Sequence, residues 1–157
     1  MVKAPVRCVL CPTDGSPTSE SAVPVAYRLV ADGGEVHLLH VCQPPMLGNP
    51  LYPPYEQGYV PSPGETEEGK KAMHAALERL VPADAAGRGI TTHLHLVDAA
   101  NPSMAIADAF AAKQAELVVM GTHGRTGLVR FALGSVASDV MKRGVPTVLV
   151  FDPPPED

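Results

Sequence analysis

The chain has 157 residues, 45% of them hydrophobic and 18% charged, which suits one globular domain with a substantial core and leaves little room for two. A net charge of −5, no Trp and only 4% aromatic residues argue against nucleic-acid binding, which relies on cationic, aromatic-lined surfaces. No apolar run reaches the length of a membrane span, and the first residues lack the hydrophobic stretch of a signal peptide, so a cytoplasmic protein is expected.

Val6 to Cys11 is a short apolar run ending in "PTDGSP", a cluster of turn formers, and reads as a first strand. A helix follows from Ser16 or Ser19, with Ala22, Val25, Ala26, Leu29 and Val30 on one face. Pro24 predicts a kink or a later start, and "DGG" at 32–34 predicts a glycine cap at its end. "VHLLHV" at 36–41 reads as the second strand. Residues 43–65 are rich in Pro and Gly and read as a long, loosely packed or disordered loop. A helix over 67–81 is expected to bury Ala72, Ala75, Ala76 and Leu80.

"ITTHLHLV" at 90–97 alternates like a strand, and Asn101 or Ser103 can cap a helix carrying Met104, Ile106, Ala107, Phe110 and Ala111. Leu117 to Met120 is a fourth strand. Ser135 to Arg143 is a helix with Val136, Val140 and Met141 on adjacent turns, stopped by Gly144 and Pro146. "PTVLVF" is the last strand and "DPPPED" a short Pro-rich tail. The alternation of strands and helices predicts a single doubly wound α/β domain over 1–157, a five-stranded parallel sheet in a Rossmann-like three-layer sandwich.

Cys8 and Cys11 form C-x-x-C, yet residues three apart on a strand point to opposite faces and lie about 10 Å apart, too far for a disulfide. Three cysteines fit packing in a reducing compartment. In open α/β sheets ligands bind beyond the carboxyl ends of the strands, where strand order reverses. Two polar, glycine-bearing turns leave strands here, "PTDGS" and "GTHGRTG". If strands one and four are neighbours, both turns line one crevice.

The second turn begins a run in which Gly121, Gly124, Gly134 and Ser135 follow a fixed spacing. Glycine admits positive φ and close approach by a ligand, so Gly121 and Gly124 can expose amides in an anion-binding nest. Gly134 and Ser135 stand at a helix N-terminus, where unpaired amides and the macrodipole favour phosphate. Arg125 and Arg130 lie between and supply positive charge. The run is neither a Walker A loop nor the dinucleotide fingerprint, and a plain turn plus helix cap is the alternative reading.

The chain resembles the universal stress protein family over nearly its whole length. The resemblance rests on "CPTDGSPTSESAVPVAYRLV", "VHLLHVCQP" and "ELVVMGTHGRTGLVRFALGSVASDVMKRGVPTVLVF". Its G-x2-G-x9-G-[ST] spacing is that of the family's nucleotide-binding branch. The resemblance implies an adenine-nucleotide-alpha-hydrolase-like fold with ATP or AMP as ligand, and Mg²⁺ only through the nucleotide. It implies that Asp14 takes the ribose hydroxyls, that Val41 pairs with adenine, and that Pro12 and Thr13 line the same wall. Gly121, Thr122, Gly124 and Arg125 would face ribose and phosphates, with Gly134, Ser135 and Val136 around the phosphate tail. It also implies a homodimer through the last strand. Ala100-Asn101-Pro102 departs from the family's frequent Gly-x-Pro.

His37, His40, His93 and His95, with Cys42, raise the question of a metal, and His93 and His95 share one strand face that a metal site could use, but no second pair arrives with recognisable ligand spacing, so satisfied or surface histidines are expected. No Ser-His-Asp or Cys-His arrangement and no nucleophile elbow is present, so no catalytic residue is expected. Three functions remain: an adenine-nucleotide-binding stress-response regulatory module, a slow ATPase, and a nucleotide-independent dimeric interaction protein.

Overall fold

Val9, Leu10 and Cys11 are fully buried in succession, because their strand sits in the middle of a sheet covered on both faces. The computed structural model describes residues 5–43, 63–122 and 133–151. Its elements are β1 (Cys8–Pro12), α1 (Pro17–Leu29), β2 (Glu35–Cys42), a 3-10 turn (Pro63–Glu65), α2 (Glu67–Arg79), β3 (Thr91–Asp98), α3 (Pro102–Ala112), β4 (Leu117–Gly121), α4 (Ser135–Lys142) and β5 (Thr147–Val150). The five strands are all parallel and run in the order β3-β2-β1-β4-β5. The chain therefore winds outward from β1 to β3, then returns to lay β4 on the other side of β1. The reversal falls between β1 and β4, as the crevice argument requires.

Successive residues on β1 feed two cores, as the period of two dictates. Val9 and Cys11 join Ala22, Val23, Ala26 and Tyr27 of α1 and Leu77 of α2. Leu10 joins Ile106 of α3 and Ala137 and Val140 of α4. The result is the expected α/β three-layer sandwich.

Three helices are capped by their own sequence. Ser16, Thr66 and Asn101 each accept from the amide three residues on. Pro17 and Pro102 follow two of these caps in the first turn, where a missing amide costs nothing. The departure at Ala100-Asn101-Pro102 is thus an ordinary Asn cap.

Several expected details differ. The first helix runs without a break through Pro24, which lies exposed. It stops at Val30 rather than on the glycines. Arg88 donates from its guanidinium to the Tyr27 and Val30 carbonyls at 2.6 and 2.9 Å, satisfying the helix end from outside. Leu29 is exposed, and Val23 and Tyr27 take its expected place in the core. On α2, Ala72, Ala75 and Ala76 are exposed, and the buried stripe is Met73, Leu77 and Leu80. Met104 and Met141 are exposed too. Gly144, at φ +77°, ends α4 as its sequence predicts. Most of the 43–65 segment and the tail beyond Phe151 lie outside the described residues.

Candidate functional site

At the carboxyl ends of β1, β2 and β4 a cavity of about 500 Å³ opens, within the range of small-molecule sites. It exists because β1 is short. The last β1–β2 pair is Pro12 with Leu39, while β2 continues through His40, Val41 and Cys42. Past Pro12 the chain turns away to begin α1, which leaves the β1 side of β2 facing the cavity.

Pro12, Thr13 and Asp14 line one wall, Val41 another, and Gly121, Thr122, Gly134, Ser135 and Val136 a third. The structure thus gathers nine of the residues singled out above around one space. The other two, Gly124 and Arg125, lie outside the described residues.

The first wall is held by hydroxyls. Thr13 is fixed by its amide, which donates to the Leu39 carbonyl at 2.8 Å. Ser19 Oγ donates to the Ser16 carbonyl at 2.9 Å and accepts from the Asp14 amide at 3.2 Å. With the Ser19 proton so used, the 2.9 Å contact between Thr13 Oγ1 and Ser19 Oγ has Thr13 as donor. Asp14 Oδ1 accepts from the Ser16 amide at 2.9 Å, an Asx turn that sets the carboxylate at the rim. Gly15, at φ +79°, allows the turn.

On the opposite wall the glycines differ from expectation in their reason. Neither Gly121 nor Gly134 has positive φ. Gly121 is the last residue of β4, and a Cβ there would sit 3.0 Å from the backbone of Thr18. Close packing of α1 on the strand therefore requires it. Gly134 is the N-cap of α4 at φ −60°, ψ 151°, with no side-chain cap hydrogen bond. Its amide donates to the Thr122 carbonyl. Among the described residues, α4 is thus the helix whose first amides, at Ser135, Val136 and Ala137, have no side-chain cap, and these residues line the cavity.

Further lining residues were not singled out for this site from sequence. Leu39, Ile106 and Met120 make an apolar floor, and Met73 and Gly64 approach from the α2 side. His40 also lines the space, with its Nδ1 2.9 Å from the Thr13 carbonyl. Cys42 lies near its edge, and burial, then the Asp98 charge, pushes its thiol pKa up. The strand-end residues were legible as termini of apolar runs. Met73 and Gly64 carried no comparable signal, because they reach the cavity from distant segments. Asp14 is the lone carboxylate on the described lining, which holds no lysine or arginine. The chemistry available is therefore an apolar slot, a carboxylate at the rim and a fan of backbone amides. That combination accommodates a flat apolar group joined through hydroxyls to an anion.

The model of the universal stress protein family matches residues 5–152. A universal stress protein of Methanocaldococcus jannaschii is 32% identical over 151 residues, 95% of this chain and 84% of that protein. Among solved structures, a protein studied as a test case for assigning biochemical function from structure superposes with a TM-score of 0.70 at 24% identity. That match covers 97% of this chain and 100% of the other. A universal stress protein in complex with cAMP superposes with a TM-score of 0.62 at 22% identity, covering 94% and 98%. The chain belongs to the universal stress protein family.

Proposed function

We propose that this member of the universal stress protein family is an adenine-nucleotide-binding module of the stress response, with ATP or AMP as its ligand. The observation that carries the reading is the uncapped N-terminus of α4, opening onto a cavity at the point where strand order reverses. A helix N-terminus without its own cap suits an anion, and an apolar floor suits a purine. The cAMP complex of a fold neighbour supports the choice of nucleotide class.

On this reading adenine packs against Val41 and meets the strand edge beyond Leu39, where β1 no longer occupies it. Asp14 accepts from the ribose hydroxyls, and Pro12, Thr13 and Thr122 shape the slot. The Ser135 and Val136 amides, with the Ser135 hydroxyl, hold the phosphates. Gly134 keeps that approach clear of a Cβ, and Gly124 and Arg125 complete the phosphate contacts. Mg²⁺ enters only as a counter-ion of the phosphates. On this reading the lining residues bind the nucleotide, and none is assigned a role in hydrolysis.

We also infer a homodimer through β5, because β5 is an edge of the sheet and Val148, Leu149 and Val150 on it are half-exposed.

Isothermal titration with ATP, AMP and GTP tests the nucleotide reading. Adenine nucleotides should bind one per chain, more tightly than GTP, and Ser135→Ala should weaken ATP by several-fold. Equal heats for wild type and for both Gly134→Ala and Ser135→Ala would remove the phosphate assignment.

A further inference from the structure

A second group of chemically capable side chains lies at the other end of the sheet, outside the nucleotide cavity. β1 to β3 are in register so that Cys8 faces Glu35, and His37 faces His93. The period of two puts Cys8, Glu35, His37, His93 and His95 on one sheet face, the one covered by α3 and α4. The three imidazoles lie nearly parallel, with the His37 ring centroid 4.5 Å from His93 and 5.1 Å from His95.

His37 is 5% exposed, and its Nε2 is buried without a hydrogen-bond partner among the described residues. Its Nδ1 lies 2.9 Å from His95 Nε2. If His37 Nδ1 donates there, its Nε2 presents a bare lone pair to Glu35 Oε2, 3.5 Å away. If His95 donates instead, the Nε2 proton reaches toward an oxygen too distant for a good hydrogen bond. Neither tautomer satisfies this nitrogen, and burial of an unsatisfied nitrogen is costly.

A cation resolves the conflict. Ligand atoms of Cys8, Glu35 and His37 all lie within 4.8 Å of one another. His93 Nε2 reaches the same Glu35 oxygen at 3.4 Å. Atoms bound to zinc at tetrahedral angles stand about 3.3–3.8 Å apart, so both nitrogens already sit at a ligand edge from Glu35 Oε2. His93 lies outside the set of three that are mutually within 4.8 Å, so its half-exposed ring has to swing inward to close the fourth position. We propose that Cys8, Glu35, His37 and His93 bind a zinc-class divalent cation between the amino-terminal halves of β1, β2 and β3. The Cys8 thiol releases its proton to solvent on binding, and Glu35 binds as the carboxylate. His95 is the positioning residue, holding His37 through Nδ1 so that Nε2 points at the ion. A thiolate, a carboxylate and two imidazoles select zinc or cobalt over the hard cations magnesium and calcium. The cluster shares no residue with the nucleotide cavity, so either assignment stands if the other fails.

The full chain, stripped with chelator and free of nucleotide, is titrated with Zn²⁺ by calorimetry. One ion per chain is expected, with affinity falling about tenfold or more in Glu35→Gln and His93→Gln and unchanged in His74→Gln. Glu35 and His93 are half-exposed, so these variants should fold. With Co²⁺ the wild type should show a thiolate-to-cobalt charge-transfer band that Cys8→Ser loses. Zn²⁺ should also protect Cys8 of the wild-type chain from alkylation, a readout that needs no variant. Equal titration of wild type and Glu35→Gln, absence of the thiolate band in wild type, or equal Cys8 alkylation with and without Zn²⁺ would each overturn the proposal.

Discussion

The amide of Gly134 donates to the carbonyl of Thr122, so the chain that leaves β4 returns to within one hydrogen bond of its departure. This bond sets the start of α4 beside the end of β4. The first free amides of the helix and the last residues of the strand therefore share the cavity wall. The end of the strand and the start of the helix act together as one edge of the site.

The two glycines on that edge should separate under mutation. A Cβ at Gly121 would meet the Thr18 backbone at 3.0 Å, and backbone cannot yield as a side chain tip can. Gly121→Ala should cost about 1–3 kcal/mol of stability, as overpacking does. Gly134 has a φ that alanine adopts freely, so Gly134→Ala should cost less than about 1 kcal/mol. Its effect should appear in nucleotide affinity, which should drop about tenfold. Urea unfolding and calorimetric titration of both variants measure the split, and an equal stability loss in the two would refute it.

Arg88 spans from its loop to the end of α1. It donates to two carbonyls and meets Asp32 Oδ1 at 2.7 Å. Hydrogen bonds from a charged donor to carbonyls that otherwise lack partners are the stronger part, so Arg88→Met should cost about 2–3 kcal/mol. Lysine cannot reproduce the fork, and Arg88→Lys should recover little of that loss. Asp32 is 74% exposed, so Asp32→Asn should change stability by less than about 0.5 kcal/mol. Thermal melting of the three variants orders them.

The fold was legible because its signals are local. Apolar runs such as Val9 to Cys11 and side-chain caps at Ser16 and Asn101 define elements without tertiary information. Faces were harder. On α2 three alanines suggested a buried side, but alanine is tolerated anywhere on a helix and carries little burial signal. Met73, Leu77 and Leu80, spaced at i, i+4 and i+7, mark the true stripe. Pro24 suggested a break, yet the amide it lacks would only have bonded the carbonyl of exposed Glu20. The strand-end residues of the site could be read as termini. The cluster of His37 with His93 could not, because 55 intervening residues hide a neighbour relation that only strand register creates.

Cys11 should be chemically silent despite its C-x-x-C spacing. It is fully buried, and desolvation of the thiolate pushes its pKa from 9.0 up to about 12. At pH 8 the thiolate fraction is then roughly one in ten thousand. Iodoacetamide should label half-buried Cys8 in the native protein and reach Cys11 only after urea unfolding. The same shift links stability to pH. A thiol whose pKa is higher in the folded state contributes fully below about pH 9 and loses that contribution as pH rises toward 12. The loss is of order 4 kcal/mol from this group, and Cys11→Ala should flatten it. Native labelling of Cys11 as fast as Cys8 would contradict the burial argument.

The edge of β5 offers a test of dimerisation that leaves the sheet intact. Val118 donates to the Pro146 carbonyl, and Thr122 donates to the Val150 carbonyl. In a parallel pair, alternate residues face the neighbour strand, so 146, 148 and 150 turn their backbone groups to β4 while Thr147 and Leu149 turn theirs outward. A proline at 149 removes an amide the sheet does not use, and edge strands tolerate proline in that orientation. It also removes a donor that a second copy would need. Leu149→Pro should therefore convert the proposed dimer to monomer in light scattering, with little change in circular dichroism. Its stability cost should be about 1–2 kcal/mol, from the lost packing of a half-buried leucine. A variant that remains dimeric would place the contact between copies elsewhere than the backbone of this strand.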